Sequence, residues 1–114
     1  MTREVFLLDL SDLALAGEYE AWHRPGNVPA EVLADIGAAG VTAMEIYRSG
    51  DRLVMITETG TNRPAGERAL SQESCDWERT MDRFQRPLPW SNGIKWHPAD
   101  QIFDLLQHTK DDHS

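Results

Sequence analysis

Tyr19 and His23 stand four residues apart in the segment Tyr-Glu-Ala-Trp-His-Arg-Pro, just ahead of Pro25. Residues i and i+4 share one helix face, so this phenol and this imidazole reach into the same pocket. Imidazole changes charge near neutral pH and can both give and take a proton there. A pocket with one such group and few other ionisable ones suits proton transfer on a neutral molecule. The same residues also fit a core aromatic followed by a solvated helix end, and spacing alone does not decide between the two.

The other reactive side chains narrow the chemistry. Cys75 is the single cysteine, which excludes an internal disulfide and fits a reducing, cytoplasmic setting. No basic residue flanks it, so it is expected to be a buried structural thiol rather than a nucleophile. His23, His97, His108 and His113 show no paired ligand spacing and there is no cysteine cluster, so no metal site is expected. A net charge of -8 argues against a phosphate-backbone partner, because nucleic-acid binders need a basic face. No apolar run approaches 18 residues, so no membrane span is expected, and Met1 to Leu10 does not read as a signal peptide.

The elements that must position the pair follow from patterning. At 114 residues the chain is read as one domain over residues 1–109, followed by a polar tail over 110–114. Val5 to Leu10 has strand length. Ser11 and Asp12 offer an N-cap and a first-turn acid for a helix through His23, with Leu15, Tyr19 and Trp22 on its inward stripe. A second helix begins near Pro29, carries Val32, Ile36 and Ala39 inward, and stops at Gly40. Val41 to Tyr47 and Leu53 to Glu58 read as strands joined by a hairpin at Arg48-Ser49-Gly50-Asp51. Both are apolar enough that both faces are expected to be covered.

Thr59 to Glu67 is a polar connection. A helix then runs from Ser71 to about Phe84, with Leu70, Trp77, Met81 and Phe84 at helical spacing. A Pro- and Gly-containing loop carries Trp90. Periodicity leaves open whether Ile102, Phe103, Leu105 and Leu106 form a helix or a strand. Trp22, Trp90 and Trp96 are expected in the core or an interface. The order of elements matches a split β-α-β, ferredoxin-like α+β pattern.

With these residues in place, the chain resembles the L-rhamnose mutarotase family over nearly its whole length. The resemblance rests on the opening strand, Tyr19 and His23 before Pro25, and the hairpin Ile46-Tyr47 to Val54-Met55-Ile56. It continues through Trp77, Met81 and the closing Ile102-Phe103. It implies a homodimer of ferredoxin-like units forming a dimeric α+β barrel, and favours a strand from Asp100 to Leu106. It also implies a cofactor-free isomerase that interconverts the anomers of a 6-deoxy sugar. By position, His23 matches the family's proton donor and Tyr19 a sugar-contacting tyrosine. Trp77 matches the first of two adjacent tryptophans against which the sugar lies. The second tryptophan is Glu78 here, and a substrate-contacting tyrosine on the second strand is Met44. These departures reshape the hydroxyl contacts and place L-fucose beside L-rhamnose as an expected substrate.

Mutarotation needs acid/base groups and no electron or phosphate transfer. His23 would donate to the ring oxygen, Tyr19 would hold a hydroxyl, and Trp77 would offer a flat apolar surface to the sugar's C–H groups. Glu78, Glu45, Asp76 or a water are candidates for the partner base. Two other readings remain on the same scaffold: a small oxygenase, cofactor-free or haem-linked, and a non-catalytic metabolite binder.

Overall fold

The computed structural model describes residues 2–60 and 70–111. Most of the connection read over Thr59 to Glu67, and the last three residues of the tail, lie outside them. The apolar opening of the chain forms β1, Thr2–Leu10. Asp12 then accepts a hydrogen bond from the Ala14 backbone N–H at 2.9 Å, capping a 3-10 turn, Leu13–Leu15. That turn feeds α1, Ala16–Trp22, so the first helix of the reading begins as a tighter coil. A second helix, α2, spans Ala30–Ala38 with Pro29 just before it. Its chain reverses through Gly40, whose φ of +93° lies in the left-handed region that glycine adopts freely.

Strands β2, Val41–Ser49, and β3, Arg52–Thr59, form the expected hairpin. Its turn is the pair Gly50-Asp51, with Gly50 at φ +60°. Helix α3, Gln72–Asp82, follows, with the Ser71 hydroxyl accepting from the Ser74 N–H at its start. Two-residue strands β4, Gln85–Arg86, and β5, His97–Pro98, both pair with β1. The sheet order is β2-β3-β1-β4, and every pair is antiparallel. With helices after β1 and after β3, this is the ferredoxin-like α+β arrangement.

One face of the sheet holds the core. Leu8 and Leu10 of β1 and Leu53 of β3 pack with Ala16 and Tyr19 of α1, Met81 of α3, and Phe84. Trp22, Trp77 and Trp96 pack partly buried against that cluster, while Trp90 is exposed. The alternate residues of β1, β2 and β3 point the other way. There Leu7 lies beside Val54 and Tyr47, and Val5 beside Ile56 and Glu45. None of these belongs to the buried core.

Two expectations are corrected, those for Cys75 and for Asp100 to Leu106. The cover expected on both faces of the hairpin strands is not supplied by the described residues of this chain: from Thr42 onward β2 is exposed, including Met44, Ile46 and Tyr47. It is an edge strand, so it has a neighbour on one side alone. Cys75 is exposed rather than buried, because it sits one residue, about 100° of helix, away from the inward position Ser74.

The segment Asp100 to Leu106 is not a strand. After Ala99 donates its N–H to Val5 the chain leaves the sheet, and α4 covers Leu105–Asp111. Asp104 accepts from the Leu106 N–H at 2.9 Å, which caps this helix locally. Ile102 is 97% exposed, and Phe103, Leu105 and Leu106 are exposed with it. The radius of gyration, 16.3 Å, exceeds the roughly 13 Å of a compact domain of this size, in keeping with a terminal segment held away from the core.

Candidate functional site

Ring contacts of Trp22 and His23, at the end of α1, with Trp77 of α3 build one side of the site. His23 caps α1, its own N–H bonded to the Glu20 carbonyl at 3.0 Å. Its ring is tied down as well, with Nδ1 2.7 Å from the Tyr19 backbone carbonyl. A carbonyl only accepts, so Nδ1 carries hydrogen and Nε2 is left for chemistry. In the neutral ring Nε2 is a base, and in imidazolium it is a donor. The ring lies between two aromatic neighbours, Tyr19 at 4.4 Å and Trp77 at 5.3 Å between centroids. Trp22 meets Trp77 edge-on at 6.1 Å, and Phe84 meets Tyr19 edge-on at 5.7 Å. This row of rings holds the imidazole at a fixed tilt.

These side chains border a partly open cavity of about 310 Å³, a size suited to a small ligand. Tyr19, His23, Trp77, Glu78 and Met44 all line it, so the five residues singled out in the sequence meet at one place. Trp96 and Met81 extend the α1–α3 side, and Val32, Ile36, Ala39, Val41 and Met55 supply an apolar opposite side. The stripe read as the buried face of α2 is therefore partly cavity wall, with Val32 buried and Ala39 exposed.

Of the acids considered as a partner base, Glu78 alone borders the cavity. Glu45 accepts from the Tyr47 hydroxyl at 2.9 Å and faces the bare side of the sheet. Asp76 accepts from Gln72 and pairs with Arg79 on the exposed surface of α3. Burial is the main cause that raises the Tyr19 pKa above its ordinary 10.0; a hydrogen bond from Gln85 lowers it, and the nearby Glu78 charge raises it. The net upward direction keeps Tyr19 a neutral hydroxyl at physiological pH, a donor rather than a base.

Asp35, Ser74 and Gln85 also line the cavity and were not read from the sequence. Asp35 of α2 is buried, and its Oδ2 accepts from the Ser71 N–H at 3.0 Å, the Ser71 hydroxyl at 2.6 Å and the Ser74 hydroxyl at 2.5 Å. It bolts α2 to the start of α3. A carboxylate inside the apolar stripe Val32, Ile36, Ala39 was the available signal. Gln85 comes from the two-residue strand β4, which no periodicity marks.

The sequence profile of the L-rhamnose mutarotase family matches residues 3–105. The chain belongs to that family. An L-fucose mutarotase of Xanthomonas campestris pv. campestris is 44% identical over 114 residues, covering 94% of this chain and 90% of the relative. The crystal structure of an L-rhamnose mutarotase from Formosa agariphila superposes with a TM-score of 0.69 at 16% identity. That match covers 91% of this chain and 98% of the other, and it supports the fold. Among the described residues no group of His, Cys, Asp and Glu could hold a metal ion, and no helix is long and apolar enough to cross a membrane.

Proposed function

We propose that this mutarotase-family chain interconverts the α and β anomers of a 6-deoxy-hexopyranose, with L-fucose ahead of L-rhamnose. The observation that carries the reading is His23: an imidazole with one nitrogen committed to a backbone carbonyl and the other left for a ligand, on the wall of a sugar-sized cavity. The preference for L-fucose follows the 44% identical relative and the Glu78 and Met44 positions.

In the forward step the anomeric hydroxyl gives up its proton as the ring oxygen receives one from His23 Nε2. The C1–O5 bond breaks, the electron pair goes to O5, and C1 becomes an aldehyde. Rotation about C1–C2 presents the other face of the carbonyl. O5 then attacks C1, returns its proton to Nε2, and the carbonyl oxygen is reprotonated. Glu78 is the acid placed to take and return the anomeric proton, directly or through a water. Tyr19 donates to a sugar oxygen, and Trp77 lies against the C–H face of the ring. The roles of His23, Tyr19 and Trp77 rest on their shared cavity and on the family positions they match, and that of Glu78 on the cavity alone.

The working protein in this reading is a homodimer. The sheet face carrying the half-buried Val5, Leu7, Val54 and Ile56 and the exposed Tyr47, together with the exposed Ile102, Phe103, Leu105 and Leu106, presents apolar surface of the kind that marks an interface. A second copy covering that face meets the need for burial; sedimentation of a monomer at micromolar concentration would remove this part of the reading.

The test of activity is NMR saturation transfer between anomeric protons, run with L-fucose and L-rhamnose side by side. Transfer above the buffer rate, larger for L-fucose, is the expected result. Binding of either sugar with no added transfer would favour a metabolite binder.

A further inference from the structure

Gln85 is a polar residue of the cavity wall that the proposed proton transfers do not use. It lies in β4 opposite Leu10 of the core face, and it borders the cavity beside Tyr19. Its Nε2 is 3.5 Å from the Tyr19 hydroxyl oxygen, the outer limit of a hydrogen bond. Its Oε1 is buried and has no hydrogen-bond partner among the described residues. Buried amide oxygens are nearly always paired, so an orphan on a ligand cavity calls for an explanation.

We propose that Gln85 is a specificity-determining contact for the sugar: its side-chain carbonyl accepts one ring hydroxyl, while its amide N–H steadies Tyr19 to donate to a neighbouring oxygen. This deepens the mutarotase reading and rests on it. The Tyr19 oxygen accepts from Gln85, which turns the phenolic proton outward as a donor. A sugar carries adjacent hydroxyls that each donate and accept, and the Gln85–Tyr19 pair supplies one acceptor and one donor in sequence. Oε1 is buried in the free chain, so the hydroxyl reaches it when the neighbouring side chains of the cavity wall shift, a common adjustment on binding, with Nε2 kept beside Tyr19. The partner of Oε1 is thus supplied by the ligand. A site that meets a hydroxyl with a buried acceptor rejects analogues lacking that hydroxyl, because the acceptor is left unpaired again.

The experiment measures anomer exchange as a function of concentration for L-fucose and its 2-, 3- and 4-deoxy analogues, on the parent, Gln85→Met and Gln85→Glu. Met fills a similar volume without polar atoms, and Glu keeps an acceptor. For the parent, one deoxy analogue should show a half-saturation concentration raised about tenfold, the scale of one hydrogen bond. Gln85→Met should raise that for L-fucose by a similar factor, keep the plateau rate within about threefold, and no longer distinguish that analogue. Gln85→Glu should still distinguish it. The melting temperature of Gln85→Met should equal or exceed the parent's, because a buried orphan is removed; a purely structural glutamine would lower it. If Gln85→Met discriminates among the analogues as the parent does, or Gln85→Glu loses the discrimination, the inference is overturned. A parent that exchanges no anomers of any sugar instead overturns the mutarotase reading itself.

Discussion

Asp35 and Glu78 border the same cavity from two packed helices, yet their surroundings are opposite. The Asp35 carboxylate is buried, and three hydrogen bonds from Ser71 and Ser74 converge on one oxygen. Glu78 is exposed at the mouth and makes no hydrogen bond or ion pair among the described residues. The first carboxylate is spent on joining α2 to α3, and the second is available to a ligand. The walls around them differ in the same sense. The α2 and β2 side offers Val32, Ile36, Ala39, Val41 and Met44, which can shape a sugar but cannot move its protons. The α1 and α3 side offers His23, Tyr19, Trp77 and Glu78. Bordering the cavity therefore does not by itself leave an acid available to a ligand; freedom from internal partners does.

The contrast can be broken at either wall. The largest effect belongs to His23→Ala, which should remove roughly 10²–10⁴-fold of the enzymatic anomer exchange while the fold, checked by circular dichroism, is kept. Next comes Asp35→Ala, which strands the Ser71 N–H and two hydroxyls in a buried place. Unfolding in denaturant should show a loss of about 2–4 kcal/mol, and the exchange rate per folded molecule should change far less than for His23→Ala. Third is Glu78→Trp, which trades a free acceptor for a stacking surface and leaves the anomeric proton of both sugars to a water. The ratio of L-fucose to L-rhamnose exchange should fall by about tenfold, the scale of a charge-assisted hydrogen bond; an unchanged ratio would remove Glu78 from specificity.

The smallest effect concerns pH. The folded-state pKa of Tyr19 is raised, chiefly by burial. A raised value means that the folded chain holds its phenolic proton more tightly than the unfolded chain does. The resulting stability is fully present below the unfolded value near pH 10 and is lost as pH rises through the folded one. Tyr19→Phe should therefore flatten the alkaline fall in denaturation midpoint. A variant that falls as steeply as the parent above pH 10 would place the titrating group elsewhere.

Local signals made most of the site legible. Tyr19 and His23 are separated by one helical turn, and Trp77 and Met81 by another, so their common faces follow from period alone. The hairpin was equally readable, because Gly50 supplies the positive φ of its turn. Gln85 was invisible because two residues of strand carry no period, and its neighbour Tyr19 is 66 positions away. Asp35 was passed over inside an apolar stripe, since its partners come from a different helix. The terminal helix was missed although Asp104 marks its start, because the apolar run after it reads equally as strand. The dense apolar pattern of the hairpin strands states a need for burial on both faces without saying what meets it.

The proposed division between a wall that moves protons and a wall that shapes the ligand is tested most directly by separating turnover from saturation. Exchange of L-fucose anomers is measured across sugar concentration for the parent, His23→Ala and Met44→Ala. His23→Ala should lower the plateau rate with little change in half-saturation, and Met44→Ala should shift half-saturation at a plateau close to the parent's. A parent-like plateau for His23→Ala, or a Met44→Ala plateau that falls as far as the His23→Ala one, would contradict that division.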